Sequence, residues 1–114
     1  MTQKEKALQQ AVEQALKDCD SFYEKGKKLN VLKISNVEFN SKNLQPEDVD
    51  DSTLERCTGG DYHGSCRLET DIDGNIKIEQ NYVITVSFKV RHYDSQTNQF
   101  TARITKVTVN TGAY

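Results

Sequence analysis

The chain has no tryptophan and a single proline, Pro46. It also lacks any apolar run near the roughly 20 residues that a bilayer-crossing helix needs. It does not open on a basic segment followed by an apolar stretch, so no secretory signal is visible, although a signal or anchor removed before Met1 stays compatible with what is written. Neither sign of charge dominates, with 15 Lys and Arg against 17 Asp and Glu. The net charge is −2, and no Lys/Arg run stands apart from the acids around it. That excludes the electrostatic footprint of a nucleic-acid binder. Mixed charges along the first 26 residues argue against a membrane-surface helix. Neither nucleic acid nor direct membrane insertion is therefore expected.

What is present suits one small ordered domain, residues 1–114. At 114 residues the chain can bury a real but modest core. Its C-terminal half is too rich in β-branched and aromatic residues to be disordered.

Residues 2–26 are predicted to form one long amphipathic helix. Leu8, Val12, Ala15, Cys19 and Phe22 recur at helical spacing, and Ala11, Leu16 and Tyr23 widen the stripe. Lys4, Lys6, Glu13, Lys17, Asp20 and Glu24 occupy the other side. Thr2 and Glu5 have the spacing of a capping box. Gly26 stands where a left-handed residue would end the helix, with Lys25, Lys27 and Lys28 near the negative end of its dipole.

The remainder is predicted to be β. Residues 29–40 form a strand whose alternation slips between Ile34 and Val37, the signature of a bulge. Residues 41–60 form an acidic loop around Pro46, with a short helical turn near 51–57. Residues 65–110 form antiparallel hairpins. Asp73-Gly74 supplies a tight turn, and one unbroken alternation runs from Ile76 to Val90. The last strand slips phase between Ile104 and Val107, which implies a second bulge. The expected fold class is α+β: one helix on a roughly four-stranded, antiparallel, bulged β-meander.

Few residues suggest chemistry. Cys57 and Cys66 flank a Gly-rich segment and are the first choice for a disulfide, which would imply an extracytoplasmic (periplasmic or cell-surface) location. A bridge from Cys19 to either stays open, because sequence does not fix connectivity; Cys19 alone fits a small buried hydrophobe. Zinc held by Cys57, Cys66, His63 and His92 lacks paired-ligand spacing. Calcium held around Glu69, Asp71 and Asp73 lacks the closing acid, since Gln80 stands in its place. A thiol nucleophile activated by His63 or His92 matches no recognisable motif. Gly59-Gly60 is followed by Asp61 rather than by phosphate-loop residues. No metal, cofactor or catalytic residue is therefore expected. Glu47, Asp48, Asp50 and Asp51 are candidate partner-binding residues. The last strand, if it lies at an edge, could accept a strand from a partner.

The order of elements is similar in outline to the globular part of type IV pilins and pseudopilins, where a helix continues from a removed membrane segment into a meander. The resemblance is one of architecture, without the hydrophobic pilin N-terminal segment, and the Thr2 cap marks a helix start of its own. It implies a non-catalytic, extracytoplasmic protein–protein interaction domain of a bacterial surface or secretion apparatus. Two other readings fit the composition. One is a small inhibitor or immunity protein that uses its acids to cover a partner enzyme's active site. The other is a cystatin-like or NTF2-like binding module with a pocket between Phe22, Tyr23 and the sheet. An enzyme of unassigned type is the fourth.

Overall fold

The computed structural model describes residues 2–19, 21–50, 52–71, 74 and 76–111. It opens with helix α1, Gln3–Lys17. Thr2 caps it, its hydroxyl accepting from the Glu5 backbone N–H at 3.1 Å. The Glu5 carboxylate accepts from Lys42 at 2.8 Å, which ties the first turn to the sheet. Among the described residues six strands follow: β1 (Phe22–Glu24), β2 (Lys27–Leu29), β3 (Val31–Gln45), β4 (Gly59–Asp71), β5 (Lys77–Asp94) and β6 (Gln99–Asn110). The fold is α+β, as expected. The sheet corrects the four-stranded antiparallel meander: it has six strands in the order β2-β1-β6-β5-β4-β3, and β1 runs parallel to β6.

The helix ends at Lys17 rather than at residue 26. Asp18, Cys19 and Ser21 are poor helix formers, and the apolar spacing of Cys19 and Phe22 continued the stripe only by coincidence. Gly26 does adopt a left-handed conformation (φ 81°), as does Lys25 (φ 51°). The two form the tight turn of the β1–β2 hairpin, with Glu24 opposite Lys27. Phe22 and Tyr23 therefore alternate as strand residues. Phe22 is fully buried, while Tyr23 is 37% exposed.

The predicted 29–40 strand begins at Val31 and extends to Gln45, and the predicted 41–60 loop shrinks to residues 46–58 around a 3-10 turn, Leu54–Arg56. The glycines taken for loop residues belong to β4. A side chain at Gly64 would collide with the Glu38 backbone carbonyl, so glycine allows β3 to approach closely there. Of the predicted Asp73-Gly74 turn, Asp73 lies outside the described residues; the Gly74 N–H donates to Asp71 Oδ1 at 2.6 Å.

The sheet curls. β3 carries three register shifts against β4, one of them between Ser35 and Glu38 where the alternation slips. Two more interrupt β5–β6, one of them placing Thr105 as the extra residue next to Lys106. Each one-residue bulge adds bend and twist. The result is visible at Asn30, the only residue between β2 and β3 although these strands form opposite edges of the sheet. Its carbonyl accepts from the Asp71 N–H at 3.0 Å. The two edges thus meet at one end, and the inner face wraps a core. Leu8, Val12 and Leu16 of α1 pack there with Phe22, Leu68, Ile84, Val86 and Val107, all fully buried. Each such side chain contributes roughly 1.5–3 kcal/mol of burial.

Candidate functional site: the outer face of the sheet

Because side chains alternate along a strand, every strand that feeds the core also presents an outer face. Along β4, Tyr62, Gly64, Cys66 and Leu68 are buried, while Asp61, His63, Ser65 and Arg67 point the other way. β5 matches it over thirteen unshifted residue pairs, from Gly59–Lys89 to Asp71–Lys77. Two polar rows result. Ser41, His63, Thr85, Thr108 and Tyr23 are successive cross-strand neighbours from β3 to β1. Beside them run Asn43, Asp61, Ser87 and Lys106.

Hydrogen bonds hold these rows. His63 Nδ1 lies 3.2 Å from Thr85 Oγ1, and its Nε2 lies 3.5 Å from the Asn43 amide nitrogen. With Asn43 donating, the ring proton sits on Nδ1 and faces Thr85. Ser87 Oγ donates to Asp61 at 2.6 Å. Nearer the β4–β5 turn, Arg67 donates to Glu79 at 2.7 Å and to Asn81 at 3.3 Å. The histidine therefore contacts a hydroxyl and an amide rather than an activated nucleophile.

The predicted acids fall beside this face. Glu47 and Asp50 line an open cleft of about 620 Å³ together with Asn43, Gln45 and Asp61. Asp48 lies 3.5 Å from Arg56, both well exposed. Asp50 is committed to its own loop: Oδ1 accepts from the Ser52 N–H, the Ser52 hydroxyl and Thr53 Oγ1. Those donors, Ser52 foremost, hold its carboxyl below the ordinary value. Asp51 lies outside the described residues.

The cysteines correct the disulfide expectation. Cys57 and Cys66 are free and buried, and Cys19 is free and half-buried. The Gly-rich segment runs extended in β4 from Gly59. At about 3.3 Å per residue, Cys66 stands more than about 20 Å along the strand; a bridge needs Cα atoms about 5.5–6 Å apart. Burial pushes the Cys66 thiol up to about 12 and raises that of Cys57 as well. Both are poor nucleophiles in consequence. Cys66 faces the core and His63 faces outward from the same strand, so they share neither a metal nor a proton. Among the described residues, no group of three His, Cys, Asp or Glu side chains converges as a metal site.

Two further expectations change. Phe22 and Tyr23 are adjacent strand residues of unlike burial, so they do not line the pocket foreseen between helix and sheet. The last strand, β6, is flanked by β1 and β5, so the sheet edges are β2 and β3. β3 is interrupted by its bulges, which blunts it against strand addition. Among the described residues, no helix is long and apolar enough to cross a membrane. No family model, curated protein or solved structure matches the chain.

Proposed function

We propose that this chain is a non-catalytic protein-interaction domain that holds its partner on the outer face of the sheet. One observation carries the reading: the face spans β3 to β6, turns to solvent, and has its polar side chains set by the Asn43–His63–Thr85, Asp61–Ser87 and Arg67–Glu79 contacts. Side chains already fixed by neighbours lose less entropy when a partner docks. The cleft beside Asp61 is open and polar, unlike the enclosed apolar cavities that take small ligands. The extracytoplasmic placement expected for a bacterial surface or secretion component drew on a Cys57–Cys66 bridge, and the free, separated thiols withdraw that support.

A second reading, an inhibitor or immunity protein that covers an enzyme's active site, is favoured by Glu47 and Asp48 beside the same face; Asp50 is occupied within its loop. Lysine-directed cross-linking in native extract, followed by mapping of the linked peptides, tests the proposal. Links to a partner are expected from Lys89 and Lys106 of the outer face. Links confined to Lys4, Lys6 and Lys17 of the helix would sink it.

A further inference from the structure

The two ends of the outer face differ in charge, one balanced and the other basic. Toward the β4–β5 turn, cations meet acids: Lys33 stands opposite Glu69, Lys77 opposite Asp71, and Arg67 donates to Glu79 at 2.7 Å. Glu69 and Glu79 are cross-strand neighbours, but each has a cation at hand. Toward the β5–β6 turn the rule breaks. Lys89 stands directly opposite Arg103. The register shift next to it places Arg91 beside His92, and the other leaves Lys106 opposite Ser87. All five basic residues are exposed. Two carboxylates lie at the margin: Asp61, which accepts from Ser87, and Asp94, which accepts from the Gln96 N–H at 2.9 Å and lies near His92; none of Lys89, Arg103 and Lys106 has an acid as its cross-strand partner.

Like charges placed directly opposite in a sheet are destabilising, so this end gives up stability that the other end keeps. We infer that Lys89, Arg91, His92, Arg103 and Lys106 form a docking site for an acidic segment of a partner protein, laid in extended form across β5 and β6. Neighbouring strands are about 4.8 Å apart and alternate residues about 6.6 Å, a spacing that suits the carboxylates of a short peptide. A nucleic acid suits it less well. One exposed ring, Tyr23, shares a shallow pocket with Lys106, while Tyr93 and Phe100 lie tilted against each other with Phe100 buried, so the patch offers bases a single platform rather than the row on which a single strand stacks. The inference rests on the outer-face reading and names the chemistry of the partner.

Fluorescence anisotropy with a labelled hexaglutamate peptide at low salt tests it. The protein should bind the peptide, and Lys89→Glu/Arg103→Glu should weaken binding by about tenfold or more. Lys6→Glu/Lys17→Glu, an equal change of net charge on the helix, should leave it within about twofold. Should the first pair fail to fold, Lys89→Gln/Arg103→Gln replaces it with the same expectation. No binding, equal loss in both pairs, or tighter binding of a labelled single-stranded oligonucleotide would each overturn the inference. Cross-links from the outer face without peptide binding would leave the interaction reading standing and remove only this one.

Discussion

The inner and outer faces are built from the same strands and differ in what they are for. On β4 and β5, every second residue closes a core in which Leu68, Ile84 and Val86 are fully buried. Apart from the exposed Val83, the residues between them are polar, several hydrogen-bonded to one another and, at one end, charged against their neighbours. The inner face explains why the chain folds. The outer face contributes little to that and so is free to carry function. Substitutions should separate the two faces by size of effect.

The largest effects belong inside. Leu16→Ala should cost about 2–5 kcal/mol in urea unfolding, because the lost contacts leave a cavity between helix and sheet. A loss below about 1 kcal/mol would mean the helix is loosely docked. Gly64→Ala should cost about 1–3 kcal/mol, since its methyl group would push β3 away from β4 at Glu38.

The buried thiols give a pH signature. Burial raises Cys66 from an ordinary 9.0 to about 12, so between those values the unfolded state releases a proton that the folded state keeps. Stability is then unaffected below pH 9 and falls as pH rises from 9 toward 12. Urea midpoints measured across that range check the sign. Ellman's reagent should titrate three thiols in denaturant, with Cys19 reacting first in the native protein. Two missing thiols would restore a disulfide.

The smallest effects belong outside. His63→Ala and Ser87→Ala should each change stability by about 1 kcal/mol or less, since Ser87 gives up one part-exposed hydrogen bond and His63 two contacts, of which that to Asn43 is long and exposed. A larger loss would make the outer face structural and blur the distinction.

Much of the inner face was legible in the sequence. The Leu8–Val12 stripe, the Thr2 cap and the unbroken alternation from Ile76 to Val90 report local geometry, which a periodic pattern records. The phase slips near Ile34–Val37 and Ile104–Val107 located two of the bulges, because a bulge moves every later side chain to the other face. The end of the helix was not legible, since Cys19 and Phe22 satisfy a helical period while lying outside the helix. Gly59, Gly60 and Gly64 signal a turn or a close approach of strands equally well, and the wrong choice produced the disulfide expectation. The pairing of β1 with β6 joins residues far apart in the chain. Lys89 meets Arg103 only across the β5–β6 hairpin, and the bulges there set which basic residues share a face, which is why no basic cluster showed in the linear sequence.

The central claim is that the partner sits on the outer face. Affinity capture from native extract, run side by side with three forms of the protein, tests it most directly: the unaltered chain, Ser65→Glu/Thr108→Glu at exposed positions in the middle of that face, and Glu47→Lys/Asp48→Lys in the acidic loop. The account predicts that the unaltered chain and the loop variant retain the same protein, while the outer-face variant, equally stable, loses it. Retention by the outer-face variant, or loss by the loop variant alone, would contradict it.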